Sequence, residues 1–100
     1  MRISEYEIES IKNLAYSHFG KEVQVFLFGS RTENEKRGGD IDLFIAQPNG
    51  EQLKIQTKIN FITDLILKIG DQKIDVVLEN PAAKNSVFYQ TIYKTGTRLC

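Results

Sequence analysis

The spacing of apolar residues changes character several times along the chain, and each change marks an element. Ile8, Ile11, Leu14, Ala15 and Phe19 recur at helical period behind a Ser4–Glu7 pair with capping-box spacing, and Gly20 stands where such a helix stops. VQVFLF, residues 23–28, is short, β-branched and aromatic, and is closed by Gly29, which predicts a strand. GSRTENEKRGG, residues 29–39, is polar and flanked by glycine, so it forms a connection. DIDLFIA, residues 40–46, is a second strand, and PNG at 48–50 interrupts the chain. A longer helix is expected over 51–69, with Leu53, Ile59, Ile62, Leu65, Ile66 and Ile69 on its apolar stripe and Gly70–Asp71 at its end. KIDVVL, residues 73–78, gives a third strand. Asn80–Pro81 favours a turn, and a last helix is expected from about Ser86 to Thr95, stopped by Gly96.

The expected order is α-β-β-α-β-α. This is an α/β (α+β) fold in which a small mixed sheet of about three strands packs against helices and is partly open on one side. One hundred residues, 41% hydrophobic and 26% charged, suit a single domain spanning 1–100, too small to carry a second unit for a bulky substrate. Thirteen basic and thirteen acidic residues cancel, which argues against gripping nucleic acid through bulk charge. No apolar run approaches the roughly 20 residues of a membrane span, and the polar start MRISEYEIES is unlike a signal peptide. A single cysteine, Cys100, excludes an internal disulfide framework and a cysteine-based zinc site. A cytoplasmic protein with no membrane association is expected.

The second strand holds the candidate chemistry. Asp40 and Asp42 are two apart in an extended segment, so both point to one side of the sheet while Ile41, Leu43 and Ile45 point to the other. Two adjacent carboxylates repel, and a hard divalent cation such as Mg²⁺ relieves that repulsion. Asp75 interrupts an apolar strand, where an acid is costly unless paired or liganded, and it completes a three-carboxylate cluster if its strand lies beside the second. Gly29–Ser30 ends the first strand; a glycine there lets backbone N–H groups approach a phosphate, Ser30 adds a hydroxyl and Arg31 a cation. Plainer roles stand beside these: Asp40 as a cap at a loop end, and Asp75 in an ion pair with Lys or Arg.

The stretch LFGSRTENEKRGGDIDLFI, residues 27–45, resembles the signature of the minimal nucleotidyltransferases of the DNA polymerase β-like superfamily. That signature is a hydrophobic strand, Gly-Ser, a short polar loop and Asp-x-Asp within a second strand. Gly29, Ser30, Asp40 and Asp42 match it, and Asp75 falls where the third carboxylate is expected. The loop between Ser30 and Asp40 holds nine residues, where many members have one more. The resemblance implies Mg²⁺-dependent transfer of a nucleoside monophosphate, AMP from ATP above all, to an acceptor hydroxyl. It implies catalytic and metal-binding roles for Asp40, Asp42 and Asp75; Gly29, Ser30 and Arg31 are read, from the turn they form, as the nucleotide-binding residues. Members of this kind resemble the antitoxin of a pair whose partner is a small helical HEPN-type toxin, or stand beside a helical substrate-binding protein. A hetero-oligomer is therefore implied.

Two other functions are weighed against transfer to a partner protein. One is a non-catalytic antitoxin that neutralises a helical partner by steric contact. The other is a subunit modifying a small molecule such as an aminoglycoside, against which the lack of an acceptor domain counts. Among the remaining residues, His18 near a helix end is read as structural, Tyr89 and Tyr93 as core packing on one helix face, Cys100 as a mobile free thiol, and Lys36 and Arg37 as part of a solvated loop.

Overall fold

A computed structural model describes residues 3–29, 41–48, 53–70, 72–80 and 86–100. Three of the residues singled out above, Ser30, Arg31 and Asp40, lie outside these segments, as do Lys36 and Arg37. Helix α1 spans Glu5–Phe19 and starts with the expected capping box: the Ser4 hydroxyl accepts from the Glu7 N–H and the Glu7 carboxylate accepts from the Ser4 N–H. Strand β1 (Gln24–Phe28) follows, then β2 (Ile41–Ala46), α2 (Ile55–Ile69), β3 (Ile74–Leu78), α3 (Val87–Thr95) and β4 (Thr97–Arg98). Ser86 caps α3 by accepting from the Tyr89 N–H.

The sheet order is β3-β2-β1-β4. β1 and β2 pair antiparallel, β2 and β3 parallel, and β1 and β4 antiparallel. The sheet is therefore mixed and has four strands, not three. β4 is two residues long, too short to leave an alternating signature, and follows directly on α3. The chain continues along β1 beyond it: Leu99 donates to Val25 O at 2.7 Å, and Val25 donates to Cys100 O at 3.2 Å. Cys100 is thus tied to the sheet and half-buried, in contrast to the mobile thiol expected.

Two cores sit on the two faces of this sheet. Ile11, Ala15 and Phe19 of α1 and Phe61 and Leu65 of α2 pack on Val25, Leu27, Ile41, Leu43, Ile45, Ile74 and Val76. On the other face Tyr89 and Ile92 of α3 pack on Phe26, Phe44 and Ala46. α2 begins at Ile55, because Leu53 and Lys54 are not yet helical and no side chain caps the N-terminus. Of the stripe expected, Leu65 is fully buried and Leu53, Ile62, Ile66 and Ile69 pack against the core, and the difference lies at two positions. Phe61 is fully buried, while Ile59 is 49% exposed. His18 bonds Asp64 of α2 at 2.8 Å and packs edge-on against Phe61, so it staples the two helices, as a structural histidine should.

Candidate functional site: a row of side chains across three strands

The alternation expected of β2 is observed. Ile41, Leu43 and Ile45 are fully buried under α1 and α2, so Asp42 is directed to the α3 face. In register, Asp42 stands directly across from Phe28 of β1 and from Asp75 of β3. Paired residues on neighbouring strands share a face, so Phe28, Asp42 and Asp75 form one row across the sheet. Strands lie about 4.8 Å apart in this direction, which places the two carboxylates within reach of one small ion.

Asp75 is in the row for a different physical reason from the one its sequence context implied. β3 is an edge strand, and Asp75 is exposed. Its carboxylate keeps its hydration, so an acid in this apolar strand costs little. The desolvation argument for a ligand therefore falls, whereas the register with Asp42 stands. Among the described residues Asp75 takes part in no ion pair with Lys or Arg, the plainer role open to it.

Gly29 completes the arrangement. It adopts φ +77°, a region that L side chains rarely occupy. A Cβ built there would collide with Oδ2 of Asp42. The turn after β1 and the Asp42 carboxylate are therefore in direct contact, and only a residue without a side chain leaves the carboxylate in place.

The donors assembled by the described residues are carboxylate oxygens on a half-open sheet face, beside a backbone turn that comes close enough to touch them. Oxygen-only donors of this kind fit Mg²⁺, which takes one or two carboxylates and completes its shell with waters and phosphate oxygens. Among the described residues no group of three His, Cys, Asp or Glu side chains is positioned for a metal ion. Asp40, the third acid, is outside them.

Two aromatic residues at this site escape a reading of the sequence. Phe28 adjoins Asp42 in the row, and the Phe88 ring of α3 meets it edge-on, with centroids 6.0 Å apart and an interplanar angle of 85°. The signal for Phe28 is its parity in β1, which has meaning only once the β1–β2 register is known. Phe88 carries no motif at all. Tyr89 is buried as expected, with its hydroxyl accepting from the Asn80 N–H, but Tyr93 is 41% exposed and donates from its hydroxyl to Glu79 Oε2 at 2.6 Å. Burial of the ring and that hydrogen bond push the Tyr93 phenol well above its ordinary range. No helix among the described residues is long and apolar enough to cross a membrane.

Solved structures share this architecture. A toxin–antitoxin complex with AMP-PNP contains a chain with 20% identity, covering 93% of the present chain and 72% of its own length with a TM-score of 0.71. A mutant of the MntA–HepT toxin–antitoxin gives 18% identity, 93% and 71% coverage and a TM-score of 0.71. The complex of a tri-AMPylated Shewanella oneidensis HEPN toxin with an MNT antitoxin gives 19% identity, 94% and 69% coverage and a TM-score of 0.67. At these identities the likeness is one of fold. No curated protein matches the chain. The model of the family described as Polymerase beta, Nucleotidyltransferase matches residues 9–100. That match takes in every strand of the sheet and the whole Phe28–Asp42–Asp75 row, and the chain belongs to the polymerase β nucleotidyltransferase family as a minimal nucleotidyltransferase.

Proposed function

We propose that this chain, as a single domain over residues 1–100, transfers AMP from ATP to a hydroxyl of a partner protein, and that it serves as the antitoxin of a HEPN-type toxin. The observation that carries the reading is the placement of Asp42 and Asp75 in register on adjacent parallel strands, with Gly29 pressed against Asp42. The structural neighbours, from a toxin–antitoxin complex with AMP-PNP and from a complex of an MNT antitoxin with a tri-AMPylated HEPN toxin, support the choice of nucleotide and partner.

In this reading Asp40, Asp42 and Asp75 hold Mg²⁺, which would neutralise the acids and stabilise negative charge on the phosphates. Gly29 and Ser30 offer backbone and hydroxyl donors to the phosphates, and Arg31 a positive charge. The acceptor oxygen forms a bond to the α-phosphorus, and the bond from that phosphorus to the β-bridging oxygen breaks. Its electron pair leaves with pyrophosphate, and the hydroxyl proton passes to the Asp75 carboxylate. The exposure of Asp75 suits it to meet an acceptor arriving from solvent. The same reading places the chain in the cytoplasm, where ATP and Mg²⁺ are at hand.

The test is to incubate the chain with its helical partner, Mg²⁺ and each labelled NTP, and to weigh the partner by mass spectrometry. An AMP adduct that is lost with Asp42→Asn is the expected result. A stable complex without any adduct would instead favour neutralisation by contact alone.

A further inference from the structure

We infer that Phe88, backed by Phe28, is the stacking shelf for the nucleobase of the nucleotide whose phosphates are held at Asp42. The inference rests on the reading of Asp42 and Asp75 as a metal and phosphate site, and it adds the place where the base lies.

Phe28 stands one strand spacing, about 4.8 Å, from Asp42 on the same sheet face. In a nucleotide the base is joined to its α-phosphate through a single ribose. The base therefore lies within one ribose of the phosphate anchor, and the side chains that flank the anchor are within its reach. On one flank stands Asp75, an exposed carboxylate that offers an aromatic face nothing. On the other flank stand Phe28 and, above it, Phe88.

Phe88 is placed as a shelf and not as core. It lies in the first turn of α3, next to the buried Tyr89, yet is 51% exposed, and Val87 beside it is 79% exposed. Its two ring neighbours meet it at 85° (Phe28) and 48° (Tyr89), both with centroids 6.0 Å away. Among the described residues no aromatic ring is stacked parallel on it, and its 51% exposure leaves surface that a flat ligand can cover. Phe28 is half-buried against the α3 core and supports the Phe88 ring from below. Stacking of this kind accepts any base, because every base has a π-face, and favours the larger purines.

The inference separates base recognition from phosphate recognition, and two probes read them apart. One is α,β-methylene-ATP, in which a methylene replaces the oxygen bridging the α- and β-phosphorus, so that the bond broken during transfer is a stable P–C bond; the other is inorganic tripolyphosphate, which has no base. Binding of each is measured calorimetrically with Mg²⁺ to the full chain and to Phe88→Ala, Phe88→Leu and Phe88→Trp. The expected result is about tenfold weaker binding of the methylene analogue to Phe88→Ala and Phe88→Leu, recovery in Phe88→Trp, and tripolyphosphate affinity unchanged throughout. Phe88→Leu keeps apolar bulk against Phe28, so a loss there reports the missing ring face and not a failure to fold. Equal losses for both probes, or none in Phe88→Leu, overturn the shelf. Unchanged analogue binding with reduced transfer to the partner also overturns it and assigns Phe88 to the acceptor. Tripolyphosphate binding that needs Mg²⁺ and Asp42 upholds the phosphate site whatever Phe88 does. Its absence from the unmodified chain overturns both readings together.

Discussion

The Asp42 carboxylate occupies the space that a side chain at Gly29 would need. The obstruction is the tip of one side chain, which can swing aside, so a methyl group at position 29 displaces the carboxylate more than it disrupts the sheet. Gly29→Ala is therefore expected to cost about 1–2 kcal/mol in stability from the positive φ, while NTP binding with Mg²⁺ falls at least as far as in Asp42→Asn. Thermal melts and calorimetric titration of both variants check this. A fully functional Gly29→Ala would separate the turn from the acid.

The two described acids differ in what they owe to folding. Asp75 is exposed on an edge strand, so Asp75→Asn is expected to change stability by no more than about 0.5 kcal/mol. Transfer should nevertheless fall by about 100-fold or more, as for removal of a group that acts at the reacting centre. Addition of a chelator to the unmodified chain should abolish transfer, and Mg²⁺ should restore it. An Asp75→Asn protein with unchanged rates would remove Asp75 from the chemistry.

Phe44 holds α3 to the sheet. Its ring is fully buried and meets those of Phe26, Tyr89 and Tyr93 at 6.2, 5.0 and 5.6 Å. Phe44→Ala is expected to cost about 3–5 kcal/mol, much of the stability of a domain this size. The loss should appear in a denaturant titration as a lower midpoint. A cost below about 1 kcal/mol would mean that α3 is not anchored there.

Tyr93 makes stability depend on alkaline pH. Burial, and then the hydrogen bond to Glu79, hold its phenol above the ordinary value near 10. Above that value the unfolded chain releases the Tyr93 proton while the folded chain keeps it, so the folded state binds more protons and stability falls as pH rises. The contribution is fully present below about pH 10 and is lost as pH climbs through the folded value. Melting temperatures recorded from neutral pH upward should drop more steeply above pH 10 in the unmodified chain than in Tyr93→Phe. Parallel curves would show that neither burial nor the Glu79 hydrogen bond raises the phenol in solution.

Much of this molecule is legible from local pattern. Ser4 and Glu7 predict the start of α1 because a capping box is satisfied within four residues. The apolar parity of Ile41, Leu43 and Ile45 assigns Asp42 to the opposite face because side chains alternate in any strand. The signature through Gly29 and Asp42 marks the family for the same reason: its parts are close in sequence. What local pattern could not supply is register and edge. Whether Asp75 meets Asp42 depends on β3 pairing in parallel with β2, a contact across a whole intervening helix. Whether an acid in KIDVVL is expensive depends on β3 being an edge strand, and there the argument from local apolarity misled. The turning of α2 that buries Phe61 and exposes Ile59 is set by how the helix lies against α1 and the sheet. Phe88 has no signature of its own, and only the docking of α3 brings it over Phe28, beside Asp42. Sequence determined the three helices, the first three strands and the chemical groups, because those follow from neighbours along the chain; tertiary structure alone decided the two-residue β4 and which groups share one face, because those follow from pairings between distant strands.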